Sequence, residues 1–188
     1  PISAIFGWTG SGPFQLATIH CANPDCSTGT DSTIQSWSAG FESSGFPSIS
    51  IGTDGLPIVA YNEDDVYYDN DQQPIRSQWL RIAKCLDVEC ESQTAVKIEN
   101  GRATFVSMDI GGDGLPFIAY RMSGDLKVAH CNDVACASST VATVDPGPDV
   151  GSYASLATDP FGMPMIAYYH DLIYDDVAAD VREVLAGG

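Results

Sequence analysis

One segment occurs twice in this chain almost unchanged, and this repetition limits the possible folds more than any other feature. "SISIGTDGLPIVAY" covers residues 48–61, and "SMDIGGDGLPFIAY" covers residues 107–120. A looser third copy, "SLATDPFGMPMIAY", covers residues 155–168. In the two close copies an apolar stretch leads into a Gly- and Asp-containing turn, and a second apolar run follows, which predicts a β-hairpin. We therefore expect a repeat protein.

Two further strand patterns complete each repeat. A third strand ends at a cysteine, as in "LATIHC" from Leu16, "LRIAKC" from Leu80 and "LKVAHC" from Leu126. A fourth strand reads "TIQSWS" from Thr33, "TAVKIE" from Thr94 and "TVATVD" from Thr140. Cys85 and Cys131 are 46 residues apart, and Pro116 and Pro164 are 48 apart. Four short antiparallel strands at this period are typical of the blades of a β-propeller.

The six cysteines form three pairs at one spacing. The pairs are Cys21 and Cys26, Cys85 and Cys90, and Cys131 and Cys136, and each encloses four residues. An even count at a fixed spacing favours local disulfides, which persist in oxidising surroundings. Structural zinc sites instead bring two pairs to one ion, whereas one pair in each repeat keeps them apart. We expect three disulfides, one within each of three blades, and export from the cytoplasm.

The segment "DGLPFIAYRMSGDLKVAHC", residues 113–131, carries a recognisable blade pattern. It resembles the β-propeller repeats of bacterial and archaeal secreted proteins, in which each blade reads DGxPxIxYY…GDLK. This resemblance covers nearly all of the chain. It implies an all-β fold of four-stranded antiparallel blades and a location at the cell surface or outside the cell. Such repeats occur mostly in uncharacterised surface proteins, so the resemblance implies no particular activity.

The repeats divide the 188 residues into one repeat domain of about three to four blades. The approximate repeats are residues 1–46, 47–103, 104–151 and a degenerate 152–188, with an inserted loop at 62–79 in the second. Pro1 aligns with the proline of the Gly-Leu-Pro turn, so the first blade is incomplete at the N-terminus and lacks its innermost strand. We expect a neighbouring chain or another segment to complete that sheet. The tail, residues 171–188, fits a shortened strand copy and a helix equally well.

The charge of the chain bears on its partners. There are 25 Asp and Glu residues against 8 Lys and Arg, which gives a formal net charge of -17. Such a surface repels phosphate backbones and anionic lipid headgroups, so nucleic acid is not expected as a partner. No apolar run approaches the ~18 residues that a membrane helix needs, so membrane insertion is not expected either. Because the sequence begins with proline rather than methionine, we interpret it as a processed form or a piece of a longer chain.

Catalytic signatures are scarce. The sequence has no Gly-x-Ser-x-Gly elbow, zinc-protease helix or phosphate loop. His20 and His130 occupy one repeat position, where the second repeat has Lys84, so we assign this position a structural role rather than that of a general base. His170 is expected to be a solvated loop residue. We predict no catalytic residue and a protein that is not an enzyme.

The insertion at 62–79 is the best candidate for a binding surface. Its carboxylates could hold Ca²⁺ through hard oxygen ligands, although a solvated charged hairpin is the alternative and the EF-hand spacing is absent. These carboxylates belong to Asp64, Asp65, Asp69 and Asp71. Its aromatic residues Tyr67, Tyr68 and Trp79 could contact a sugar or a protein partner, or pack on their own blade. No cofactor other than this calcium is expected.

Two functional hypotheses follow from these patterns. The first is a non-catalytic extracellular or cell-surface module with a structural, adhesive or assembly role. Its expected partner is protein, above all copies of itself in a ring or filament, with glycan as a second partner class. The alternative is a glycan-binding or glycan-processing, sialidase-like propeller domain. That alternative predicts arginines converging on one site, and the five arginines of this chain fall at non-equivalent repeat positions.

Overall fold

A computed structural model describes residues 2–7, 14–37 and 46–170. These residues form thirteen β-strands and no helix. The first sheet contains β1 (Ile2–Gly7), β2 (Phe14–Cys21) and β3 (Gly29–Trp37). The second contains β4 (Ser48–Ile51), β5 (Pro57–Tyr68), β6 (Pro74–Cys85) and β7 (Gln93–Asn100). The third contains β8 (Thr104–Ile110), β9 (Pro116–Met122), β10 (Asp125–Cys131) and β11 (Ser139–Asp145), and the fourth contains β12 (Val150–Thr158) and β13 (Pro164–His170).

Strand order within each sheet follows the chain, and every pairing is antiparallel. The second and third sheets have four strands each, in the orders β4-β5-β6-β7 and β8-β9-β10-β11. The prediction of an all-β chain with four-stranded antiparallel sheets is therefore confirmed. In the first sheet, β1 pairs with β2 in the same way as β5 pairs with β6. Among the described residues, no strand pairs with the other edge of β1.

All three predicted disulfides are present, between Cys21 and Cys26, Cys85 and Cys90, and Cys131 and Cys136. Each joins the end of the third strand of a repeat to the loop that follows. The second cysteine of each pair has a positive φ of 54–58°, and its N–H donates to the carbonyl three residues earlier. The bridge and this hydrogen bond fix one loop geometry in all three copies. Disulfides of this kind fit an environment other than the cytoplasm.

The fixed disulfide loop also corrects the predicted register of the first repeat. The fourth-strand copy was expected to start at Thr33, but the residue facing His20 is Thr30. In the later repeats Thr94 faces Lys84 and Thr140 faces His130. Because the loop has the same length each time, register is counted from the second cysteine, and the prediction from Thr33 was wrong by three residues.

Two apolar clusters join successive sheets. One lies between the first and second sheets and includes Leu16, Trp37, Val59 and Tyr61. The other lies between the second and third sheets and includes Ile58, Ala60, Leu80, Ile82, Met108, Ile118 and Tyr120. Alternate residues of β5 thus face opposite neighbours, which explains why "PIVAY" is apolar throughout rather than alternating. The tail 171–188, for which strand and helix were both considered, lies outside the described residues.

Candidate functional site

Residues 62–79 lengthen the second hairpin of the second sheet relative to that of the third sheet, and we call them the long hairpin. Its arms are the outer halves of β5 and β6, which have 12 residues each against 7 in β9 and β10. Pairing continues without a bulge to Tyr68 opposite Pro74. At the turn, Asp69 Oδ1 accepts hydrogen bonds from the N–H groups of Asp71 at 3.0 Å and Gln73 at 2.8 Å. The insertion is therefore a regular two-stranded ribbon with a capped turn.

Three consecutive polar residues, Asn62, Glu63 and Asp64, are buried at the base of the long hairpin. Asn62 Oδ1 accepts from the Ala103 N–H at 2.8 Å, which ties the hairpin to the segment before β8. Glu63 forms an ion pair with Arg81. Buried polar groups are tolerated when partners satisfy them. These residues therefore anchor the hairpin base.

The charge of Asp64 is also partly compensated. Its Oδ2 accepts from Gln78 Nε2 at 2.8 Å and lies 3.8 Å from Arg76 Nη1. Sequence reasoning missed this anchoring because Asn-Glu-Asp reads as a solvated loop. The available signal was the opposite charge of Arg76 and Arg81 on the facing strand.

The predicted calcium ligands lie in different parts of the long hairpin. Asp64 is at its buried base, whereas Asp69 caps the turn and Asp71 is exposed there. Four strand residues lie between Asp64 and Asp69, so five residue steps separate the two, about 17 Å at the usual rise. The Asp65 side chain falls outside the described part of the structure. Among the described residues, no three His, Cys, Asp or Glu side chains gather as a metal site, and calcium binding here stays a prediction.

The aromatic residues of the long hairpin do not share one surface. Trp79 lies opposite Glu63, its Nε1 donates to Ser77 Oγ at 3.2 Å, and Lys97 Nζ lies 4.6 Å from the ring centroid. Tyr68 lies near the tip and is 60% exposed. Strand alternation places it on the opposite face from Trp79. The Tyr67 side chain is outside the described structure, so Tyr68 is the aromatic residue placed for an external contact.

The residue before the first cysteine contacts a carboxylate in each of the three disulfide-bonded sheets. Lys84 Nζ donates to Asp54 Oδ1 at 2.8 Å, and His130 Nε2 lies 2.9 Å from Asp113 Oδ2. Asp54 and Asp113 also cap their own Asp-Gly turns through the N–H groups two residues later. The hydrogen bond from Lys84 holds the pKa of the Asp54 carboxyl below its usual value. In the second and third sheets, this tie joins the first turn to the third strand.

The other two histidines differ from this arrangement. His20 Nδ1 lies 2.9 Å from Glu89 Oε1, so it links the first sheet to the disulfide loop of the second. His170 was predicted to be a loop residue, but it is the last residue of β13. Among the described residues, neither belongs to a group of three or more His, Cys, Asp or Glu that could hold a metal ion.

Two polar contacts between sheets occur at equivalent repeat positions. Ser48 Oγ accepts from the Met108 N–H at 2.9 Å, and Ser107 Oγ accepts from the Leu156 N–H at 2.8 Å. The second contact is made by the tyrosine that ends the "AY" segment of the third and fourth sheets: the hydroxyl of Tyr120 donates to Glu99, and that of Tyr168 donates to Asp145. The third sheet thus sits on the second as the fourth sits on the third. The repeated Ser and Tyr were visible in the sequence, but their partners were not.

An aromatic row also crosses the three complete copies. Phe46, Phe105 and Tyr153 each precede the repeated serine by two residues, and all three have positive φ, at 85°, 52° and 53°. Their ring centroids are 4.7 Å and 4.6 Å apart along the row. Residues other than glycine rarely adopt this backbone conformation, and its cost is borne where the surrounding structure demands it. The aromatic row therefore aligns the first strand of the third sheet with that of the second, and the first strand of the fourth sheet with that of the third.

No family model matches this sequence, and no curated protein matches it. In the described ranges, no helix is long and apolar enough to cross a membrane. Residue geometry is therefore the basis on which a function can be assigned.

Proposed function

We propose that this chain is a non-catalytic extracellular or cell-surface module, built as an array of propeller-like blades, with a structural, adhesive or assembly role. The observation that carries the proposal is the repeated inter-sheet contact, Ser48 with Met108 and Ser107 with Leu156. When each sheet accepts the next in the same way, a sheet face that no described residue covers resembles a site for the matching strand of another chain. Head-to-tail contacts of this kind give rings when the rotation closes and filaments when it does not.

The recurring contacts with carboxylates support a non-catalytic role. A general base has to reach one particular substrate proton in one particular pocket. Lys84 and His130 instead hold turns of their own sheets, and Glu63 is held by Arg81 at the base of the long hairpin. The repetition of the Lys84 and His130 contacts from the second sheet to the third fits a structural function.

The disulfides and the charge support an extracellular location. One disulfide in each of three sheets fits an oxidising compartment. A net charge of -17 favours solubility of a repetitive protein and disfavours nucleic acid as a partner. We place the protein outside the cell or on its surface, with other copies of itself as the first expected partner.

Exposed aromatic side chains favour a second candidate, a glycan-binding or glycan-processing domain. Tyr68 is 60% exposed and Tyr153 is 75% exposed. Aromatic faces stack well on the apolar face of a sugar ring. A glycan array would test this alternative directly, and turnover of a sialoside substrate would replace the non-catalytic proposal with the sialidase-like one.

Sedimentation velocity of the oxidised chain over about a hundredfold range of concentration tests the assembly role, because association shifts with protomer concentration. We expect a concentration-dependent increase in particle size. A monomer across the whole range, with no glycan or protein bound, would contradict the proposal.

A hairpin variant locates the contact. Residues 66–76 are removed, and Asp65 is joined to Ser77, its cross-strand partner, through an Asn-Gly turn. The matched control replaces the Ser123-Gly124 turn of the third sheet by Asn-Gly. If the long hairpin contributes to assembly, the first variant assembles more weakly and the control does not. Equal assembly of both would remove the hairpin from the contact.

A further inference from the structure

We propose that the open face of β12 and β13 is a docking surface for a strand on another polypeptide that carries the pattern aromatic-x-Ser-apolar-x-apolar. This inference rests on the proposed assembly function. It specifies the surface at which a second polypeptide binds and the kind of strand that binds there. The same pattern opens the three complete copies within this chain, as "FPSISI", "FVSMDI" and "YASLAT" in residues 46–51, 105–110 and 153–158, with Thr158 at the last position of the third. Two of these strands already lie on faces equivalent to the open one.

The apolar part of the surface is covered in the second and third sheets, whereas no described residue covers it in the fourth. On the second sheet Ile58 is 1% exposed and Ala60 is 0% exposed, in the cluster shared with the third sheet. At the equivalent positions of the fourth sheet, Met165 is 66% exposed and Ala167 is also exposed. A groove of about 460 Å³ lies there, lined by Ser155, Ala157, Met165, Ile166 and Ala167. Its lining is chiefly apolar, as a buried sheet face would be.

The groove also carries an unused hydrogen-bond acceptor. Ser48 and Ser107 each accept the N–H of the apolar residue that follows the serine of the next repeat. Ser155 occupies the third copy of this position, and within the described residues it accepts no such bond. A docked strand in the same register presents its own N–H to Ser155 Oγ. The surface therefore selects a strand by backbone register as well as by apolar side chains.

The aromatic row gives the third point of recognition. The Phe105 ring lies tilted against Phe46 at an interplanar angle of 49°, and the Tyr153 ring lies tilted against Phe105 at 44°. Tyr153 is the last ring of the described row and is 75% exposed. The aromatic residue of the incoming pattern would continue the row on its free face, two residues before the incoming serine.

Docking here differs from pairing at a sheet edge. β4, β8 and β12 belong to three separate sheets and are joined by side chains rather than by a backbone ladder. The occupant therefore has to present both its apolar side chains and one N–H, as β8 does with Val106, Met108 and the Met108 amide. A generic extended peptide lacks this combination.

The test is a titration of the ¹⁵N-labelled full chain with a peptide of residues 103–112, "ATFVSMDIGG". We expect amide shifts confined to the groove, around Ser155, Ala157, Met165 and Ala167. Ala167→Asp places a charge in the groove and should weaken binding by about tenfold or more. Ser155→Ala should weaken it by a smaller factor, of about three- to tenfold, since one hydrogen bond is lost.

Matched controls make the result specific. Val141→Asp changes an exposed residue of β11 and should leave binding unchanged. A peptide in which the methionine corresponding to Met108 is replaced by aspartate should bind far more weakly. Absence of groove shifts, or binding that Ala167→Asp does not weaken, overturns the proposal. Protection of the groove by the chain's own residues 171–188 overturns it too, because the occupant is then not another polypeptide.

Failure of this inference can be told apart from failure of the proposed function. Self-association of the chain that Ala167→Asp abolishes supports the docking surface and identifies a second copy as the polypeptide that supplies the strand. If the chain assembles, but Ala167→Asp changes neither assembly nor peptide binding, the docking surface is wrong and the assembly function stands. If the chain never assembles yet the peptide binds in the groove, the surface stands and its partner is a different protein.

Discussion

The third and fourth sheets begin with the same sequence pattern, but their apolar residues differ in environment. Ala119 of β9 is 0% exposed, whereas its equivalent in β13, Ala167, is exposed. The difference lies outside both hairpins: β12 packs against β9, which carries Ala119, and no described residue covers Ala167. Burial in this molecule is therefore a property of neighbouring repeats rather than of one repeat alone.

This comparison explains how the array is stabilised. A repeat that contacts only its neighbours gains stability from its own hairpins and from each interface it makes. The third sheet has two such interfaces, and the described part of the fourth has one. Substitutions at equivalent positions should thus have unequal effects.

The largest difference is expected from a charge placed at the two equivalent alanines. Ala119→Asp buries an unpaired carboxylate between sheets and should destabilise the chain by about 3–5 kcal/mol. Ala167→Asp leaves the new carboxylate in water and should change the free energy of unfolding by less than ~0.5 kcal/mol. Urea unfolding measures both values. Equal effects would show that the two faces are equally covered.

At high pH, ionisation of Tyr61 and of Tyr168, which occupy the same repeat position, should affect stability unequally. Burial raises the pKa of the Tyr61 hydroxyl from 10.0 to about 12, and Tyr61 is 1% exposed. Because the pKa of Tyr61 is higher in the folded chain than in the unfolded chain, the contribution of Tyr61 to the free energy of unfolding is fully present below about pH 10. This contribution is lost as the pH rises through about 12. The difference between the folded and unfolded pKa of Tyr61 corresponds to about 3 kcal/mol in the free energy of unfolding.

The test is thermal unfolding from pH 8 to 12. Tyr61→Phe should remove part of the loss above pH 10, since burial and the Glu99 hydrogen bond also raise the pKa of the Tyr120 hydroxyl. At neutral pH Tyr61→Phe should cost little, because the described residues offer the buried hydroxyl no hydrogen-bond partner. Tyr168→Phe, at the more exposed equivalent position, should remove less. A Tyr61→Phe curve that matches the parent chain at every pH would refute the assignment.

Each of the three disulfides should contribute about equally to the free energy of unfolding, because each closes a loop of the same length. Replacing both Cys131 and Cys136 by alanine should lower the free energy of unfolding by about 2 kcal/mol, since the closed loop is short. Val134→Ala, in the same loop, is the control and should have a much smaller effect because Val134 is 43% exposed. Reduction of the parent chain that leaves its stability unchanged would exclude this contribution.

The smallest expected difference concerns the repeated serine. Ser107→Ala removes the acceptor for the Leu156 N–H and should cost about 1 kcal/mol. Ser155→Ala should have almost no effect on the stability of the isolated chain. A similar loss at both positions, measured by urea unfolding, would indicate that Ser155 is already engaged.

Much of the fold could be predicted from the sequence because the repeats mark it. The copied hairpin, the cysteine spacing and the strand that ends at each cysteine predict four-stranded sheets with local disulfides. The register of β3 could not be predicted from Thr33, because the disulfide loop rather than sequence similarity sets the pairing of Thr30 with His20. Local pattern predicts elements, but a covalent constraint decided their alignment.

The candidate site was less predictable, since its contacts join residues far apart in the chain. Asn62 and Asp64 belong to a stretch for which a solvated charged hairpin was one interpretation, yet they are buried and partnered by Ala103 and Gln78. The positive φ of Phe105 and Tyr153 also has no local sequence signal, because such backbone strain depends on the neighbouring sheet.

Native-state hydrogen exchange tests the central claim most directly, that each sheet depends on its neighbours for protection. Opening free energies of the paired amides in β8 and β9 should approach that of global unfolding, and those of β12 and β13 should be lower. The Leu156 N–H, held by Ser107, should be the most protected amide of β12. Equal protection of the third and fourth sheets in the isolated chain would contradict the account.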